Sequence, residues 1–400
     1  MATQDISQPI LSNSDIAEVR AWRRELHRHP ELSGQEVDTA ARVVAMLDPT
    51  RPDLVLTGLG GHGVAAVYDS GNPGPSVMLR CELDALPITE LNDALPHRST
   101  VPGKAHLCGH DGHMATLIAT ARWLGRNRPQ RGRVILMFQP AEEDGSGAQK
   151  VIEDPRFGQI LPDFAFALHN FPGLPLGHAM LSEGPSNCAS RGMRILLKGR
   201  TAHASQPEAG TSPASGLAFL IDDLQALAKG SDASRADFAL LTVTYARLGE
   251  AGFGSTPGDA ELHVTLRTQR DDGMEALVQQ AEDRVAHAET RWGLASEITY
   301  HDIFRHCENA PEAVRILKAA LVEEGIPLAP TSGPLRGSED FGRFGDHAST
   351  AMFLLGSGIG TPSLHTPDFD FPDALIVPGT QVFVRIAKTL CSQLSPQLSC

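Results

Sequence analysis

Four short apolar runs, Val64–Val67, Val77–Leu79, Val134–Phe138 and Phe164–Leu168, set the terms for this sequence. Each is apolar on both faces, and segments of helical period separate them. Strands of that kind need cover above and below, so they predict a mostly parallel sheet between layers of helices. The first helix begins near Ser14, a candidate cap. Ile16, Val19, Trp22 and Leu26 share one face of it, and Pro30 ends it. A second helix is expected over about Gln35–Leu47 and a third over Met114–Leu124, with a short one after Phe138.

Near Gly184 the pattern changes. Met193–Leu197 and Glu261–Arg267 alternate polar with apolar, as strands with one solvated face do. Amphipathic helices are expected near Pro213–Ala228 and Met274–Trp292, and Ile298–Ile303 reads as a last strand. Strand–helix–strand–strand–helix–strand describes an open-faced α+β sandwich inserted into the larger α/β domain. The first pattern returns with Glu312–Glu324, Ala351–Leu355 and Ile376–Leu394. The expected organisation is a discontinuous catalytic domain, 1–183 with 305–400, and an inserted lid or dimerisation domain, 184–304.

With 34 basic against 48 acidic residues, the formal net charge is −14. Nucleic acid and anionic membrane surfaces reward a basic face, so neither is expected as a partner. No run reaches the roughly 18 apolar residues that a spanning helix needs. Met1–Asp5 has neither the basic nor the apolar region of a signal peptide, which predicts a cytoplasmic protein. The six cysteines, Cys81, Cys108, Cys188, Cys307, Cys391 and Cys400, include no Cys-x-x-Cys pair. In a reducing compartment each is a free thiol or a ligand, and a small buried hydrophobe is the ordinary fate.

In open α/β sheets, ligands bind beyond the carboxyl ends of the strands. The residues that follow the predicted strands are Glu82-Leu83-Asp84, Pro140-Ala141-Glu142-Glu143, His169-Asn170 and, after a glycine-rich loop, His365. Cys108-Gly109-His110-Asp111-Gly112-His113 lies at the start of the third helix. In an extended segment Cys108 and His110 point to one side. Thiolate and imidazole suit zinc-like ions in mixed sites. One of Glu142 and Glu143 can bind metal while the other serves as general base, with His169 and His365 completing the ligands. Asp84 suits a supporting place, holding an imidazole by its second nitrogen. Taken singly, each of these has a duller explanation: a buried thiol, a solvated helix start, a satisfied histidine. That duller reading is kept for His62, His178, His263, His287 and His301. His27-Arg28-His29 reads as cations at a helix C-terminus.

At these residues the chain resembles the co-catalytic metallopeptidase-like amidohydrolases, in the branch of hippurate hydrolases, N-acyl-amino-acid amidohydrolases and auxin-conjugate hydrolases. Aminoacylase and glutamate carboxypeptidases are more distant relatives. The resemblance is carried by Arg24–Ser33, Leu79–Ile88, His106–His113, Phe138–Glu143, Leu168–Asn170, Gly199–Ala204, Ser338–Phe341 and Leu364-His365, in family order over nearly the whole chain. It implies two divalent ions (zinc, manganese, cobalt or nickel) on Cys108, His110, Glu143, His169 and His365. It makes Glu142 the general base and Asp84 a support of the metal site. His203, on the inserted domain, would stabilise the oxyanion. Arg267 would meet the substrate carboxylate, and Asn170 also falls among the residues expected at the substrate.

The implied reaction is hydrolysis of an N-acyl amino acid, a small-molecule substrate, by a homodimer joined through the inserted domain. A dipeptidase or carboxypeptidase using the same site is the nearest alternative. A cysteine amidohydrolase built on Cys108 would leave the paired glutamates, His169 and His365 without a purpose. A zinc deaminase lacks its Pro-Cys-x-x-Cys signature, and a mere metal-binding module has no need of a base. Three positions depart from the family pattern: Glu82 in place of aspartate, Asp144-Gly145-Ser146-Gly147 in place of a more glycine-rich run, and Gly254 where asparagine is common.

Overall fold

The computed structural model describes residues 9–331 and 333–392; Met1–Asp5 and Cys400 lie outside them. The chain falls into two compact units. One comprises Met1–Gly184, Glu308–Thr331 and Phe341–Cys400, the other Pro185–Cys307 and Ser332–Asp340.

The first unit opens with α1 (Asn13–Arg28). Its cap is Ser12 rather than Ser14: Asp15 N–H donates to Ser12 Oγ (3.1 Å) and Ser12 N–H donates back to Asp15 Oδ2 (2.9 Å), a reciprocal capping box. Val19 and Leu26 are fully buried, with Ile16 and Trp22 packed against the same core. Then come α2 (Val37–Leu47), β1 (Leu54–Leu59), β2 (Gly63–Asp69), β3 (Ser76–Glu82), α3 (His110–Arg126) and β4 (Arg133–Gln139). Next are α4 (Gly147–Glu153), β5 (Phe164–Pro172) and β6 (Ala179–Met180).

The second unit holds β7 (Gly184–Asn187), β8 (Ala189–Lys198), β9 (Ala202–His203), α5 (Ala214–Gln225) and β10 (Ala239–Leu248). It continues with β11 (Ser255–Thr256), β12 (Asp259–Thr268), α6 (Asp271–Trp292) and β13 (Ala295–Phe304). After β14 (Cys307–Asn309) the chain returns to the first unit with α7 (Pro311–Glu323), β15 (Ser349–Gly358) and α8 (Ile376–Cys391).

The first unit is an α/β domain around a seven-stranded sheet in the order β1-β2-β4-β3-β5-β15-β6. The four central strands, β4, β3, β5 and β15, are mutually parallel. The flanking β1, β2 and β6 run antiparallel to their neighbours, so the sheet is parallel only at its centre. β2, β3 and β4 are buried on both faces, as their apolar runs require. Central parallel strands bring the ends of β3 and β4, the far part of β5 and the loop after β15 to one edge.

The span Asp373–Cys391, which takes in α8, is long and apolar enough to cross a membrane by length and mean composition only; Asp373, Arg385 and Lys388 interrupt it, so it is no continuous apolar run. Val382, Phe383 and Ile386 are buried in the main core, which accounts for its hydropathy. Residues 393–400, including Leu394 at the expected helix end, lie outside the described residues.

The second unit is a four-stranded antiparallel sheet, β10-β12-β8-β13. Met193, Ile195 and Leu197 of β8 and Leu262, Val264 and Leu266 of β12 bury one face of it. They share a core with Leu220 and Leu224 of α5 and Leu277, Ala281 and Val285 of α6. Alternation along the strands and 3.6-residue spacing along the helices meet in that core.

Candidate metal centre

The reason that Cys108 and His110 share a site is not an extended backbone. Gly109 is left-handed (φ 96°), and His110 is the first residue of α3. Only glycine fits there. A Cβ at 109 would lie 2.2 Å from Asn170 Oδ1. The kink sets the Cys108 thiol beside two imidazoles, with Sγ 3.4 Å from His169 Nε2 and 3.4 Å from His365 Nε2.

His110 Nε2 faces Glu143 Oε1 at 3.8 Å and Glu142 Oε2 at 4.0 Å, and His365 Nε2 lies 3.5 Å from Glu143 Oε2. Three overlapping groups each bring their ligand atoms within 4.8 Å of one another: Cys108-His110-His169, Cys108-Glu143-His365 and His110-Glu142-Glu143. None of His62, His178, His263, His287 and His301 belongs to such a group among the described residues.

The far sides of these ligands are tied to the protein. His110 Nδ1–H donates to the Asp84 backbone carbonyl (2.8 Å), with the Asp84 carboxylate further off at 3.4 Å. The expected imidazole support is therefore chiefly main chain. The buried Asp84 carboxylate instead accepts from Glu143 N–H (3.0 Å) and Ser33 Oγ–H (2.7 Å), and so fixes the turn that carries Glu143. His169 Nδ1–H donates to the Asn170 carbonyl (2.8 Å), which sets its Nε2 toward Cys108. His365 has a left-handed backbone (φ 63°), and its N–H donates to Leu107 O (2.8 Å).

Acceptor atoms gathered this closely fit a cation. His110 Nε2 is buried without a hydrogen-bond partner among the described residues. Burial, then the carboxylates of Glu143, Glu142 and Glu82, push the Cys108 thiol well above its ordinary range. Burial opposes the His110 imidazolium, but Asp84, Glu82 and Glu143 outweigh it and raise its pKa to about 10. Burial takes His169 down to about 3, leaving a neutral ring able to donate a lone pair. A divalent ion reverses the penalty on the thiolate and offsets the crowded carboxylates.

Some residues took places that the local sequence did not announce. Asn170 is fully buried, with Oδ1 2.7 Å from His113 Nε2, so it braces His113 and the Gly109 kink rather than facing a substrate. His113 is buried too, and its Nδ1 lies 2.6 Å from Glu82 Oε2. Glu82, the longer residue in place of aspartate, also pairs with Arg80, and these neighbours hold its carboxyl well below the ordinary range despite burial. The i, i+3 spacing of His110 and His113 on a helix was the available signal.

His27 is no surface cation. It is fully buried, with Nδ1 2.9 Å from Asp111 Oδ2, and Arg23 donates to the same Asp111 oxygen at 3.0 Å.

In the second unit, His203 is exposed on β9. Its Nδ1 accepts from Ser205 N–H (3.1 Å), so a neutral ring carries its proton on Nε2. Arg267 donates to Arg336 O and Ser338 Oγ, both at 2.9 Å, and has no acidic partner among the described residues. Gly254 carries no side chain, but its carbonyl accepts from Ala204 N–H (3.1 Å), beside His203. Asp144 caps its own turn, accepting from Ser146 N–H at 2.9 Å. Cys81, Cys108, Cys188 and Cys391 are buried free thiols, and Cys307 is buried as well.

Residues 78–389 match Peptidase family M20/M25/M40. The chain is 29% identical over 366 residues to the Bacillus subtilis N-acetylcysteine deacetylase, covering 91% of this chain and 94% of that one. It is 30% identical to a probable hydrolase of Synechocystis, covering 95% and 96%. Among solved structures it is similar to a Bacillus subtilis dinuclear metal-binding peptidase of the M20 family. That match has a TM-score of 0.79 and 26% identity and covers 95% of this chain and 99% of that one. The chain belongs to the M20/M25/M40 family, and it is a metal-dependent hydrolase of amide bonds.

Proposed function

We propose that the protein hydrolyses N-acyl amino acids to a carboxylic acid and a free amino acid. The convergence of Cys108, His110, Glu143, His169 and His365, with Glu142 against His110, carries this reading. We assign the five as ligands of two divalent ions, drawn from zinc, manganese, cobalt and nickel. Bound there, such ions polarise an amide carbonyl and acidify a water.

Glu142, nearly buried, is assigned to take the proton of the attacking water as its oxygen bonds to the amide carbon. It returns that proton to the nitrogen as the C–N bond breaks. Asp84 keeps Glu143 and His110 in place. His203 is assigned to the oxyanion, and its Nε2 proton supports that role. Arg267 is assigned to the substrate carboxylate, which its guanidinium without an acidic partner suits. The likeness to the N-acetylcysteine deacetylase favours an N-acetyl amino acid as substrate. The free thiols of Cys81, Cys108, Cys188 and Cys391 support a reducing, cytoplasmic setting. We also assign a homodimer through the second unit, whose edge strand β10 exposes Tyr245 and Leu248.

The test is a panel of N-acetyl, N-benzoyl and indole-acetyl amino acids, N-acetylcysteine included, set against dipeptides on metal-loaded protein. The proposal expects the N-acyl series to exceed the dipeptides in kcat/KM by at least about tenfold, a difference of about 1.4 kcal/mol in transition-state binding. Dipeptides turned over as well or better would make the protein an exopeptidase.

A further inference from the structure

Ala141, immediately before the two glutamates, has φ 50°. The left-handed region is unfavourable for a residue with a Cβ and persists only where neighbours impose it. The turn around it is tightly folded. Gly147 N–H donates to Ala141 O (2.9 Å), and Gly145 N–H donates to Glu142 O (2.8 Å). A Cβ on Gly147 would come within 1.7 Å of Pro140 O.

The remaining anchor comes from far away in sequence. Glu36 Oε1 accepts from Ala141 N–H (2.8 Å) and from Gly34 N–H (3.0 Å). Glu36 is fully buried, and its Oε2 has no hydrogen-bond partner among the described residues. It stands at the N-cap of α2, yet its side chain makes no capping bond there. A buried carboxyl is costly, and here the helix it precedes does not use it. Burial pushes the group above the ordinary carboxylate range, against the two N–H groups that its Oε1 accepts.

We propose that Glu36 is a positioning residue for the hydrolytic site: it clamps Ala141 in the left-handed conformation and thereby aims Glu142 and Glu143. The proposal rests on the roles assigned above to those two glutamates. The clamp is needed because residue 141 has a Cβ, so a glycine there makes the clamp dispensable.

The experiment compares the metal-loaded wild type with E36L, E36Q and the double variant E36L/A141G. Thermal melting confirms that each is folded. With the best N-acyl amino acid, E36L is expected to lose about tenfold or more in kcat, as a residue freed from the left-handed region would cost, with KM changed less than about twofold. E36Q keeps the accepting oxygen and stays within about threefold of wild type. E36L/A141G regains most of the loss. The proposal is overturned if E36L turns over like wild type, if E36Q falls as far as E36L, or if A141G restores nothing.

Should E36L not fold, E36D replaces it, since a carboxylate one methylene shorter cannot span to Ala141 N–H. If the wild type itself cleaves no member of the panel, the reaction assignment fails and Zn2+ affinity is read by calorimetry on the same proteins. A weakening in E36L of about tenfold, restored in E36Q and in the double variant, supports the clamp, because Glu143 is then misaimed. Equal Zn2+ affinity in all four overturns it.

Discussion

Glu142 and Glu143 are adjacent, and the roles proposed for them differ. Asp84 holds the Glu143 amide, and Glu142 lies 4.0 Å from His110. A base that is not a ligand can be removed without emptying the site. E142Q is expected to bind both metals with near wild-type stoichiometry while kcat falls by about three orders of magnitude, within the range that general acid–base catalysis supplies. Metal analysis alongside turnover checks this; a metal-loaded E142Q of near wild-type activity would contradict the role.

At this scale the sequence was most legible where side-chain chemistry names itself. Cys108, His110, Glu143, His169 and His365 are metal-ligand types next to strand ends, and the structure gathers them. It was least legible for Asn170, Glu36 and His27. What they do depends on partners far along the chain: Glu36 and Ala141 are 105 residues apart, His27 and Asp111 84. Local pattern contains nothing of such pairs.

Among the elements, α1 and α3 are joined by buried charge. Arg23 and His27 of α1 meet Asp111 in the first turn of α3, one residue from His110. Asp111 is held below the carboxylate range by Arg23 and His27 in spite of burial. Burial disfavours the charged His27, yet Asp111 and Glu90 raise its pKa to about 9 from an ordinary 6.5.

The folded state therefore binds this proton more tightly than the unfolded one. The stabilisation is complete below pH about 6.5 and is lost as pH rises through about 9. Urea unfolding of the wild type is expected to show falling stability over that window, and H27Q is expected to lack that component; equal pH slopes in the two proteins would contradict it.

The central strands were readable because burial on both faces leaves an unbroken apolar run. β1, Leu54–Leu59, lies at a sheet edge with half-buried and exposed positions and is fully buried only at Leu59. The antiparallel edges of the sheet are set by pairing, which no single segment records. The Gly109 kink was hidden as well, since a glycine between two ligands looks the same in extended and left-handed backbone.

For the molecule as a whole, the two units differ in kind. The first, an α/β sheet parallel at its centre, carries all five candidate ligands, and the second carries His203 and Arg267. The antiparallel sheet of the second unit ends at β10, where Tyr245 and Leu248 are exposed, and Phe253 nearby is wholly exposed. Open strand edges with apolar side chains favour pairing with a second copy. Twice the chain mass is expected in solution, and a charged pair such as Y245K/L248E is expected to yield folded monomer. A monomeric wild type at micromolar concentration would contradict the dimer.

Metal dependence of turnover tests the central assignment most directly. Protein stripped by a chelator and titrated with Mn2+, Zn2+, Co2+ or Ni2+ is assayed on N-acetylcysteine and its N-acyl analogues. Stripping is expected to abolish hydrolysis, with activity returning as about two equivalents of one ion bind. Hydrolysis that survives stripping but is lost on alkylation of Cys108 would contradict it, since the thiol would then be the nucleophile rather than a ligand.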